Sequence, residues 1–110
     1  MNLENNHSQM NDFNVMSKIE ALVWIKHILL EYSSYMKEDM LQDLNYMDLC
    51  INDQVSIALA RKKAFEIHRK ARLSNDLNMV CLYRAIAHGI ATYHVKEHAL
   101  KSLYYLNKVK

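Results

Sequence analysis

The stretch Ile57–Val80, "IALARKKAFEIHRKARLSNDLNMV", decides the fold. Apolar residues recur at intervals of three and four as far as Leu73, "SND" interrupts them, and the same spacing resumes at Leu77. Two amphipathic helices joined by a short polar turn have this pattern. So short a turn lays the helices side by side and antiparallel, so that residues whose numbers add to roughly 150 face each other.

Projected at about 3.6 residues per turn, the first of these helices gathers Ile57, Arg61, Ala64, Phe65, His68 and Arg72 on one face. The second, expected over 77–106, gathers Leu77, Val80, Cys81, Arg84, Ala87, His88, Ala91, Val95, His98 and Ala99. Both faces carry basic groups where a plain bundle carries leucine. The hairpin register sets Arg61 opposite His88 and His68 opposite Arg84, with alanines letting the backbones approach. A lone buried charge costs several kcal/mol, so these arginines need partners. Carboxylates such as Glu20, Glu31, Asp43 and Asp48 are expected to close the network, with neutral histidines bridging it.

The rest of the chain is also helical in character. There is no proline, Gly89 is the one glycine, and 51% of the 110 residues are hydrophobic. Strand edges and long loops draw on Gly and Pro, so an all-α fold follows: a small bundle of four helices, the last two forming a long antiparallel hairpin. Residues 1–15 are polar and Asn-rich and read as a flexible tail, leaving 16–110 as a single helical domain. Ser17 and Glu20 have capping-box spacing ahead of a helix over 17–36 that buries Ile19, Leu22, Val23, Ile25 and Leu29. Trp24 stands at the edge of that face. Asp39 and Gln42 repeat the capping logic for a second helix with Leu41, Leu44, Met47 and Leu49, and Asp53 is placed to cap the third.

No apolar run is long enough to span a membrane, and the N-terminus does not read as a signal peptide. Cys50 and Cys81 lack CxxC spacing and read as buried thiols in a reducing compartment, so a cytoplasmic location is expected. The charge is divided unevenly. Residues 1–53 hold three lysines and nine acids, net −6, whereas residues 54–110 hold eleven Lys and Arg against three acids, net +8. Opposite halves of one bundle attract each other, and each also offers a patch to a charged partner.

Three of the six histidines fall between His88 and His98. On one continuous helix His94 and His98, four apart, would share a side, as in helical metal sites, with His68, His88 or a carboxylate from another helix as a third ligand. The Glu that a metalloprotease needs directly after the first histidine is absent. Structural, hydrogen-bonded histidines are the leading reading, with no cofactor, and a metal site on His94 and His98 is the alternative. The run "RKKAFEIHRKAR" has six Arg and Lys but only the inward-projected Phe65 as an aromatic, which makes nucleic acid the third and weakest partner class. No nucleophile elbow or phosphate-cradling loop is present, and no enzyme activity is expected.

The segments "ALARKKAFEIHRKAR" and "RAIAHGIATYHVKEHAL" resemble the bacterial putative immunity protein family associated with polymorphic toxin systems. The first half of that family's pattern is met by Ala60, Arg61, Ala64, Phe65, His68, Ala71 and Arg72. The second is met by Arg84, Ala85, His88, Ala91, Thr92, His94, His98 and Ala99. In one departure, Ala87 precedes His88 and Gly89 follows it, the reverse of the family order. The resemblance covers about residues 55–108. It implies a small helical cytoplasmic protein that binds and neutralises a cognate toxin without catalysis. On that view Arg61, His68, Arg72, Arg84, His88, Thr92, His94 and His98 form a polar core. The exposed acids Glu31, Glu38, Asp39, Asp43 and Asp48 then offer the contact surface to a basic toxin. A second copy of the chain is a further partner to consider.

Overall fold

A computed structural model describes residues 12–110. It contains α1 (Lys18–Leu30), a 3₁₀ turn (Ser33–Tyr35), α2 (Glu38–Ile51), α3 (Ile57–Leu73), α4 (Leu77–Ala91) and α5 (His98–Leu106). Among the described residues there is no strand, so the all-α reading holds. The expected count of four helices does not, because the last one is two.

A continuous helix over 77–106 would run roughly 45 Å, longer than the 35 Å maximum dimension of the molecule. Instead α4 ends at Ala91 and the chain reverses over 92–97, so that α5 runs back along α4. Thr92 helps to close α4, its Oγ1 donating to the His88 carbonyl at 3.0 Å. The Tyr93 hydroxyl ties the reversal to the α2–α3 loop by donating to Asp53 and to the Val55 carbonyl. The register of α5 is held where Ser102 Oγ donates to the Ala85 carbonyl at 2.6 Å and Asn78 pairs with the backbone of Lys110.

The caps follow the sequence in part. Ser17 and Glu20 form the expected box at α1. Ser56, not Asp53, caps α3, and Asp53 adopts a left-handed backbone with φ 55°. Asp39 sits in the first turn of α2 without capping it. Helix α1 stops at Leu30, short of the expected 36. Of the polar tail read over 1–15, residues 1–11 lie outside the described residues. Residues 12–15 form a helical turn that belongs to the domain, for Phe13 is buried against Trp24 with ring centroids 5.7 Å apart.

Helix α4 is the wall shared by the others, packing against α1, α2, α3 and α5. Its Leu82, Ala85, Ile86, Ala87, Gly89 and Ile90 are buried. Gly89 is where two neighbours come closest: a Cβ built on it would lie 2.9 Å from Leu29 Cδ1 and 3.4 Å from Met47 Cε. The reversed Ala87–Gly89 order thus leaves space for α1 and α2 on the same side of α4.

Helix α3 is rotated from its expected setting. Its buried stripe is Ala60, Ala64, Ile67 and Ala71, roughly 80° round the axis from the stripe centred on Arg61 and Phe65. On one flank Lys63 and Lys70 reach across to α2. Lys63 Nζ lies 3.1 Å and Lys70 Nζ 3.4 Å from the carboxylate of Asp43, and Lys70 lies 3.2 Å from Asp39. Asp43 is 2% exposed, so it belongs to the interior and cannot serve as an exposed contact residue. The acidic and basic halves do meet, but through lysines instead of the arginines of the motif.

Removing Asp43 would leave Lys63 without its carboxylate and Lys70 with Asp39 alone. Asp43→Ala is expected to cost about 2–3 kcal/mol, less than the loss of a fully buried partner because both lysines can turn to water; urea unfolding measures it. Gly89→Leu is expected to cost more than about 3 kcal/mol by overpacking Leu29 and Met47. In Gly89→Ala the gain of about 1 kcal/mol in helix propensity offsets part of the clash.

Candidate functional site

The residues singled out by the motif divide between a seam and a surface. The seam runs across α3, α4 and α5. Arg84 Nη1 donates to His68 Nδ1 at 2.6 Å. Because arginine can only donate, His68 accepts there and carries its hydrogen on Nε2. The His68 ring meets that of His88 edge-on at 4.9 Å. His88 in turn stacks on His98 at 5.2 Å and on Tyr105 at 5.5 Å. The His88 and His98 Nδ1 atoms are 3.0 Å apart, so one donates to the other. Thr92 is fully buried beneath.

The other motif residues lie outside. Arg61, Arg72 and His94 are exposed, and Arg61 does not meet His88. Phe65, projected inward by the sequence, is 63% exposed. His94 falls in the 92–97 reversal and His98 begins α5, so they do not share a helical side and the geometry of the metal alternative is lost. Among the described residues no group of three or more His, Cys, Asp or Glu converges on a point suited to a metal. The two nitrogens that do converge, on His88 and His98, are taken up with each other. His94 and His98 share only the rim of a cleft of about 140 Å³, lined also by Arg61, Ala64, Phe65 and Ala91.

Electrostatics keeps the seam neutral. Burial, reinforced by the Arg84 and Arg72 guanidinium groups, pushes the His68 pKa from 6.5 down to about 4. Burial, then His68 and His98, does the same to His88, also to about 4. His98 is lowered by burial and by Lys101. The carboxylates expected to close this network are engaged elsewhere. Burial tends to raise the Asp39 pKa, but hydrogen bonds from Tyr83 and Lys70 outweigh it and hold the group low. Asp48 pairs with Lys26. Cys50 is buried and its thiol pushed up to about 11, so it is protonated and a poor nucleophile. Three neutral rings and an arginine form a rigid stack suited to fixing three helices.

Two parts of this arrangement escaped the sequence reading although their spacing was visible. Lys63 and Lys70 are seven apart, and Asp39 and Asp43 four apart, so each pair shares one side of its helix. Tyr105 likewise lies seven residues after His98, two turns along α5.

A histidine whose pKa is lower in the folded than in the unfolded state binds fewer protons when folded, so stability falls as pH drops through the interval between the two values. Here that interval is 6.5 to about 4. The melting temperature is expected to fall on acidification from about pH 7 to about pH 5. His88→Phe, which keeps the stack but cannot titrate, should make that fall shallower.

No curated protein and no solved structure matches the chain. A family model does, over residues 13–110, and its description is "Imm-5 like putative immunity protein". The match runs through α1 and α2 as well as the Arg- and His-bearing helices, so nearly the whole described fold is covered. The chain belongs to the Imm-5 like putative immunity protein family.

Proposed function

We propose that this protein protects its host by binding a cognate toxin polypeptide and neutralising it, without catalysis, in the cytoplasm. Membership of the family over residues 13–110 is the observation that carries this reading. The geometry agrees with it. His88 and His98 are bonded to each other and His68 to Arg84, the buried thiol is protonated, and the polar groups within the fold serve to hold helices together. No helix among the described residues is long and apolar enough to cross a membrane.

The acidic contact surface read from the sequence needs revision on this reading. Asp43 is buried, Asp39 is shared between Lys70 and Tyr83, and Asp48 is held by Lys26. Glu31 and Glu38 remain exposed and make no ion pair among the described residues.

Co-expression with a candidate toxic effector polypeptide from the same host tests the function. Cells producing the effector alone are expected to stop growing, and cells producing both to grow while the two polypeptides co-purify at a fixed ratio. Growth without a complex would point to chemical inactivation of the toxin and sink the proposal.

A further inference from the structure

The rotation of α3 leaves a face that the fold does not use. Of the six basic residues on this helix, Lys63 and Lys70 are committed to Asp43 and Asp39. Arg61, Lys62, Arg69 and Arg72 are exposed and make no ion pair among the described residues. They lie on one arc of the helix, opposed only by Glu66, with Phe65 at its middle.

Phe65 is 63% exposed, and a hollow opens on each side of it. One is the cleft of about 140 Å³ shared with Ala64, Ala91 and His98. The other, of about 240 Å³, is lined by Ala58, Arg61, Lys62 and Phe65. Arg61 borders both. At the C-terminal end of the same helix Leu73 is 74% exposed, and Leu77 beyond it 81%. An aromatic ridge between two hollows, ringed by arginines, has the composition of a binding hot spot.

We infer that this outward face of α3 docks an acidic polypeptide surface, with apolar side chains of the partner seated in the hollows beside Phe65 and its carboxylates on Arg61, Arg69 and Arg72. The partner's charge follows from complementarity, since the face presents four unpaired cations and one acid. A polypeptide fits better than a nucleic acid for two reasons. A single aromatic gives bases little to stack on, and the hollows and exposed leucines add nothing to phosphate binding. The inference rests on the toxin-binding function proposed above and assigns that function to the basic half of the molecule instead of the acidic one.

The test uses the full chain, the co-expressed effector and binding measured by titration at low and high salt. Phe65→Ala and the double variant Arg61→Glu/Arg69→Glu are compared with Glu31→Lys/Glu38→Lys on the acidic side. The altered α3 positions are exposed, so their melting temperatures should stay at the wild-type value. The expected result is binding about 30-fold weaker for Phe65→Ala, as for a hot-spot truncation. The Arg double variant should lose both protection and the salt dependence of association, while the Glu double variant stays near wild type. If the wild-type chain neither protects nor binds, the proposed function falls and this inference with it. If the wild type binds but the α3 variants bind as tightly, only the docking face is wrong. Loss of binding in the Glu double variant alone would move the contact to the acidic half. A wild-type dimer that dissociates in the α3 variants would give the face to a second copy. Salt-steep binding of random duplex DNA or RNA, lost in those variants, would give it to nucleic acid.

Discussion

The bridge from Lys63 and Lys70 to the carboxylate of Asp43 fixes how α3 is turned about its axis, and much else follows from that angle. Both lysines must face α2, which sends the alanine stripe onto α4 and brings His68 to the side where Arg84 and His88 wait. It also leaves Phe65 and three arginines in water. Apolar packing alone would not select this setting. Phe65 and Ile57 offer more area to bury than three alanines do, and area favours the larger groups. A carboxylate already inside the protein reverses the preference, because leaving it unpaired costs more than exposing a phenyl ring.

This is also why the sequence was legible in some places and not in others. Helical class, the turn at residues 74–76, the Ser17–Glu20 cap and the facing of His68 with Arg84 all follow from spacings within one helix or across one short turn. The rotation of α3 depends on a partner in α2, some 20 residues earlier, and no periodicity within α3 reveals it. The end of α4 is similarly hidden. Residues 92–97 contain neither Gly nor Pro, and the reversal is held by the tether from Tyr93 to Asp53 and Val55 in a distant loop. Of the site residues, the rings of His68, His88 and His98 come together, each half-buried. Arg61, Arg72 and His94 are exposed, put outside by the rotation of α3 through roughly 80° or by the break after α4.

The seam makes a separate point about histidine. Clustered imidazoles invite a metal or an acid–base role, yet here each ring is already provided for: His68 by an arginine, His88 and His98 by each other, with Tyr105 closing the stack. Burial among cations keeps all three uncharged near neutral pH, and neutral imidazole serves as both donor and acceptor. Such rings can replace leucine between helices and still satisfy buried polar atoms.

Because α4 is the wall against which all the other helices pack, the fold has an order of assembly built into it. Helices α3, α4 and α5 are consecutive and pair through short connections, so their contacts close small loops and form quickly. Helices α1 and α2 leave the ribosome first but, apart from each other, find their apolar partners only in the later helices, α1 on α4 and α5 and α2 on α4. Until α4 appears, Leu22, Ile25, Leu29, Met40 and Met47 have little to pack on but one another. The net −6 charge of residues 1–53 suits that interval, since like charge keeps unfinished chains apart. Nascent chains halted before about residue 90 should therefore remain sensitive to protease, and the molecule should become resistant in one late step instead of helix by helix.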